Sequence, residues 1–178
     1  DYNATFEALR EKYGNKIAPV VVPIWDANHK VTGIIDVLNK RAYEMQNLKR
    51  VEISVPDDKL DVIEEFNDAL KEAVAETDEA LMDRFFEGDD FTYREMLDGL
   101  HTGVKELSLF PVLCGSGYTC LGSLMLMDHI ISLLPNPEQG NYHKATTADG
   151  KVEEFVVSEG GVPAAFVWKT VSDQYGKY

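Results

Sequence analysis

At 178 residues the chain can hold one domain with a real core, or one domain and part of another. It is 44% hydrophobic and 27% charged, a globular composition, and its formal charge of -14 argues against nonspecific binding to nucleic acid. It has no apolar run of membrane-spanning length, its polar, acidic N-terminal stretch is no signal peptide, and Cys114 and Cys120 are too few for a disulfide framework, so a reduced, cytoplasmic setting is expected.

In chain order, Asn3 is a plausible cap for a helix over 4–13, with Gly14 as its stop. A β-branched run over 20–25 reads as a strand, 26–29 as a turn, and 30–38 as the returning strand of a hairpin. Alternation over 51–55 predicts a half-exposed strand ended by Pro56. Three helices follow. The first, over 58–75, sets Ile63, Phe66, Leu70 and Val74 on one stripe. The second, over 78–86, is opened by Thr77 and closed by Gly88. The third begins at Thr92, where Glu95 completes a capping box.

Residues 109–113 are a short apolar run with the length of a buried strand. A tight loop, Cys114-Gly115-Ser116-Gly117, leads into an apolar helix over 121–134 that Pro135 stops. In an α/β domain the loop between strand and helix is where ligands usually bind. Residues 138–150 are polar and without period, as in a linker. Stretches 151–157 and 164–171 are β-like and flank Gly160-Gly161; alone they are too few strands for an independent sheet.

Between Asp57 and Asp98 there are sixteen acidic residues and four basic ones. Asp61, Glu65, Asp68 and Glu72 recur at spacings of four, three and four. They form a carboxylate row turned away from the apolar stripe, with no lysine placed between them along the row. Such a row is either a solvated face or a docking face for a basic partner. His29, His101, His129 and His143 are scattered, which suits structural or surface roles. Cys114 and Cys120 lack the further ligands a zinc site needs. Trp25 and Trp168 are read as packing residues, and Asp36 as a turn or structural contact.

The order Val112-Leu113-Cys114-Gly115-Ser116-Gly117, with Leu134-Pro135-Asn136-Pro137 closing the helix, resembles the end of the GTPase domain of elongation factor G. Four further segments fall in register with that family: LREKYG at 9–14, PVVVPIWDANHKVTGIIDVLNKRAY at 19–43 with its Gly33-Ile34-Ile35-Asp36, AVAETDEALMDRFFEGDDFT at 73–92, and PAAFVWKTVSDQYGKY at 163–178. The resemblance implies an α/β fold, part of a P-loop GTPase domain. In it 1–16 is a GTPase-domain helix, 17–106 an inserted α+β subdomain called G-prime, and 107–137 the last strand, guanine-side loop and last helix. Residues 138–150 are then a linker and 151–178 the start of a β-barrel.

It also implies that the chain is a fragment of a GTP-dependent translation factor that promotes ribosomal translocation. Ser116 and Gly117 would contact guanine in the parent, which binds GTP or GDP with Mg. Asp61, Glu65, Asp68 and Glu72 would recruit the basic C-terminal domain of the ribosomal stalk protein. The sequence contains no G-x-x-x-x-G-K-[ST] phosphate loop and no Asn-Lys-x-Asp motif, so these residues alone are expected neither to bind GTP tightly nor to hydrolyse it. The chain departs from the family where Ser116-Gly117 replaces Ser-Ala, where Thr119-Cys120-Leu121-Gly122 replaces Asn-Lys-Gly, and where Asp173-Gln174 replaces Asp-Pro. These departures suggest a divergent paralogue, such as a ribosomal protection or recycling factor. A stand-alone acidic interaction module without enzymatic activity is the alternative from a different class.

Overall fold

The computed structural model describes residues 2–139, 143–161, 163–165 and 167–177. They form an α/β fold that divides into two compact units, Asp1–Pro135 and Asn136–Tyr178.

The first unit opens with helix α1 (Tyr2–Tyr13), and Gly14, at φ +69°, turns the chain out of it. Asn3 lies inside α1 rather than before it, so it is not the cap the sequence suggests. The apolar run after α1 splits at Val20 into β1 (Ile17–Pro19) and β2 (Val21–Trp25). These two strands join different sheets. β1 pairs in parallel with β6 (Phe110–Val112), with Ile17 opposite Phe110. β2 opens an antiparallel meander with β3 (Val31–Asp36), β4 (Arg41–Gln46) and β5 (Lys49–Ile53).

Each turn of the meander has a local cause. Asp26 accepts the amides of Asn28 and Lys30, closing the β2–β3 turn. The buried Asp36 does the same after β3: its carboxylate accepts the amides of Leu38 and Asn39 and the side-chain amide of Asn39. Asn47 and Leu48 both have positive φ, +49° and +61°, the backbone of a two-residue type I′ hairpin between Gln46 and Lys49.

Helix α2 (Leu60–Ala75) follows a 3-10 turn at Asp57–Lys59 and buries Ile63, Asn67, Leu70 and Val74. Helix α3 (Glu79–Glu87) ends at Gly88, whose φ of +82° is the left-handed stop expected from the sequence. Its cap is Asp78, which accepts the amides of Ala80 and Leu81. The predicted cap, Thr77, instead donates its hydroxyl to the Val74 carbonyl at 2.7 Å. Helix α4 (Tyr93–Lys105) carries the complete Thr92–Glu95 capping box. Gly99 and Gly103 share one face of α4. A Cβ at Gly99 would strike Val74 of α2, and one at Gly103 would lie 2.7 Å from Leu109. Helix α5 (Ser123–Leu133) stops before Pro135. One contiguous core runs through Val21, Ile35, Leu70, Val74, Leu100 and Leu133.

Among its described residues the second unit holds two short antiparallel pairs. β7 (His143–Thr146) lies within the stretch read as a linker and pairs with β8 (Val152–Phe155). β9 (Ser172–Asp173) pairs with β10 (Gly176–Lys177). The described residues of the β-like stretch 164–171 form no strand; Phe166 within it, like Tyr178 at the end of the matched segment, lies outside the described residues. Trp168 is 80% exposed, which corrects its reading as a packing residue.

Candidate functional site

The loop after β6 is folded on itself. Ser116 donates its amide to the Leu121 carbonyl at 2.8 Å, and Thr119 donates its amide to the Ser116 hydroxyl at 3.3 Å. A Cβ on Gly115 would lie 3.0 Å from the Leu121 carbonyl, so a side chain there would push the closed loop apart by a few tenths of an ångström. Gly122, at φ +80°, turns the chain into α5.

This closure separates the two residues read as guanine contacts. The Ser116 amide is consumed within the loop. Gly117 is exposed, with nothing within 4 Å of its Cβ position, and its amide bonds to no described residue. An open cavity of about 490 Å³ adjoins the loop, lined by Ser116 and Thr119 on one side and by Tyr2, Trp25, His29 and Lys30 on the other.

Cys114 lies in the wall of this cavity, and burial pushes its thiol up to about 12. It is a neutral thiol at physiological pH, unsuited to nucleophilic or metal chemistry. Tyr2 is driven upward as well, by burial first and the neighbouring Cys114 second, and its phenol oxygen is buried without a hydrogen bond among the described residues. No group of three or more His, Cys, Asp or Glu side chains is placed to hold a metal among the described residues.

The second candidate feature is the carboxylate row of α2. Asp61, Glu65, Asp68 and Glu72 are all exposed on one side of the helix, opposite Ile63, Leu70 and Val74. The row is not free of lysine, as the sequence suggests. Lys71 lies 3.3 Å from Asp68 and 2.8 Å from Asp90, the latter brought up by the chain that leads into α4. Glu64, exposed on the same helix, pairs with Lys40 at 2.6 Å. Asp61, Glu65 and Glu72 form no ion pair among the described residues. Three charges of the row therefore stay available while the fourth is partly neutralised.

Sequence reasoning does not find a third feature, an aromatic cavity between α1 and α2 into which Glu65 and Val62 face. Its walls come from Tyr2, Phe6, Trp25 and Phe66. Nothing in the local pattern marks residues so far apart as neighbours.

His129 and His101 belong to neither region's chemistry. His129 is 6% exposed on α5 with both ring nitrogens unpartnered among the described residues, and His101 is bonded through Nδ1 to the Leu133 carbonyl at 3.1 Å. Asp36 holds its turn, in agreement with its reading as a turn contact.

No family model matches the chain. It is 35% identical over 170 residues to the elongation factor G-like protein of Thermotoga maritima, an alignment covering 94% of this chain and 24% of that protein. A crystal structure of a protein from Thermus thermophilus superposes with a TM-score of 0.71 and 33% identity, over 78% of this chain and 21% of that one. The chain thus spans about a quarter of the length of the curated relative it matches. The near-complete alignment and the shared fold together make this chain similar, over nearly its whole length, to one part of an elongation factor G-like protein.

Proposed function

We propose that these residues serve in a GTP-dependent translation factor of the elongation factor G type, acting on the ribosome in the cytoplasm and promoting translocation. Residues 107–137, with β1, form the guanine side of its nucleotide site, and the phosphate loop and Mg-binding residues are supplied outside these 178 residues. Gly117, through its unbonded amide, is the guanine contact, and Ser116 shapes the loop that presents it. The meander with α2, α3 and α4 is the inserted subdomain. Its carboxylate row, Asp61, Glu65, Asp68 and Glu72, receives the basic C-terminal domain of the ribosomal stalk protein.

The observation that carries the guanine-side reading is the self-closed loop beside an open cavity, at the strand–helix junction where α/β domains bind ligands. A second observation supports a larger parent. Helix α5 exposes Leu124, Met127, Ile130 and Ile131 although Met125 and Leu133 on its other face are buried, and so large an exposed apolar face is one that a larger protein would cover.

Docking through the row is tested by titrating the chain with the stalk C-terminal domain at low and high salt. Binding that weakens with salt and is lost on reversing Asp61, Glu65 and Asp68 to lysine supports the row; binding unchanged by the reversal rejects it. Calorimetry with GDP tests the division of the nucleotide site. These residues alone are expected to give no tight binding, and a micromolar affinity would mean that the site is complete within them.

A further inference from the structure

The cavity between α1, β2 and the start of α2 measures about 410 Å³. Its four aromatic rings form a continuous ladder. Tyr2 stacks on Phe6 at 5.8 Å with 5° between the planes, Trp25 tilts against Tyr2 at 6.3 Å, and Phe66 meets Phe6 edge-on at 5.7 Å. Among the described residues four charged side chains also line it. Two are cations already engaged: Lys59 lies 3.1 Å from Asp58, and the Arg10 guanidinium sits over the Phe6 ring at 5.8 Å. The other two, Glu7 of α1 and Glu65 of α2, form no ion pair among the described residues.

Aromatic walls with two unpaired carboxylates match one ligand chemistry. A cation on an alkyl stem lays its methylenes along the rings and its charge against ring faces and carboxylates. A neutral apolar group would leave Glu7 and Glu65 unanswered, and an anion would meet both of them. The position adds to the match, because Glu65 belongs to the carboxylate row and Val62, one turn before Phe66, is exposed beside it.

We propose that this cavity anchors one basic side chain, lysine or arginine, of a protein docked along the carboxylate row of α2; the proposal rests on the docking reading given above. The row attracts the partner through long-range charge, and the cavity fixes its register by taking one side chain into a desolvated aromatic setting.

Trp25 in the wall provides the readout. The chain has two tryptophans, and Trp168→Phe at an exposed position leaves Trp25 alone. In that background the chain is titrated with a helical Lys-Ala-Ala repeat peptide and with the basic stalk C-terminal domain, following Trp25 emission. A saturable emission change is expected. Glu7→Gln should weaken binding roughly two- to five-fold, the range of an exposed ion pair, and Val62→Lys, which sets a like charge at the mouth, at least as much; both should abolish the change while thermal unfolding stays as before. Glu7 lies on α1, off the row, so the two readings fail separately. Loss of binding in the Asp61→Lys and Asp68→Lys variants, with Trp25 silent and Glu7→Gln and Val62→Lys binding normally, overturns the cavity and keeps the row. A Trp25 response that survives Asp61→Lys and Asp68→Lys overturns the row and keeps the cavity.

Discussion

The side-chain amide of Asn67, 5% exposed on the inner face of α2, donates to the backbone carbonyl of Val37 at 3.1 Å, tying the acidic helix to the turn that ends β3. Val37 is fully buried, so its carbonyl has no recourse to water. Asn67→Ala leaves that acceptor unpaired and should destabilise the chain by about 1–3 kcal/mol, measured by urea unfolding at neutral pH. If α2 carries the docking row, the same variant also weakens partner binding by loosening the helix that presents it.

Gly99 and Gly103 let α4 approach α2 and Leu109 closely. Alanine at either position must push against Val74 or Leu109, neither of which is the end of a long, flexible chain. Although alanine is the better helix former, each substitution should cost about 1–3 kcal/mol by overpacking. A gain in thermal stability from Gly103→Ala would show that the α4–β6 junction is looser than the geometry implies.

The capping box of α4 predicts an acid-sensitive step. Hydrogen bonding from Arg84, then from the Thr92 amide and hydroxyl, lowers the Glu95 carboxyl from 4.5 to about 2. A carboxyl depressed in the folded state adds stability above its unfolded value, and that stability is lost as pH falls from about 4.5 toward about 2. Glu95→Gln should flatten this part of the stability curve, read by thermal unfolding across acid pH. Thr92→Ala removes the reciprocal half of the box at a cost of about 0.5–2 kcal/mol.

His129 predicts a second pH dependence at milder acidity. Burial lowers its pKa below 6.5, outweighing the upward pull of Asp36 and Asp128, while Arg50 adds to the lowering. The folded state holds the ring neutral. As pH falls below 6.5 the unfolded chain takes up a proton that the native one resists, so stability declines. His129→Leu removes two unpartnered buried nitrogens and should be neutral or stabilising at pH 7, with the decline below pH 6.5 reduced. Unchanged pH dependence in His129→Leu would assign the decline to another group.

Local chemistry makes much of this fold legible. The Thr92–Glu95 box, the left-handed stop at Gly88 and the halt before Pro135 each follow from a side chain's own backbone preference, and all three helices stand close to where those signals put them. Strand β4 escapes a sequence reading because its hairpin turns on Asn47-Leu48. Leucine at φ +61° is not a residue that advertises a type I′ turn, and it is tolerated with Leu48 75% exposed. Residue type ranks Asp78 above Thr77 as a cap, and Asp78 takes the position while Thr77 sits close enough to α2 to bond back to Val74. At the candidate site, the Gly/Ser loop is readable. That Ser116 spends its amide on Leu121, and that Tyr2 and Trp25 wall two cavities, depends on contacts that no local pattern encodes.

The parallel pairing of β1 with β6 carries a consequence for how the subdomain can be cut. Parallel neighbours need a long crossover, usually with a helix, to bring the chain back to the starting end of the ladder. Here everything between Pro19 and Phe110 is that crossover, and α4, the last helix before β6, occupies the place of its helix. A short loop joining β1 to β6 would therefore fail to replace the insert. A deletion would have to keep α4 as the return path, and because Val21 and Ile35 of the meander and Leu70 and Val74 of α2 share one core with Leu100 of α4 and Leu133 of α5, removing the meander or α2 would strip packing from the frame itself.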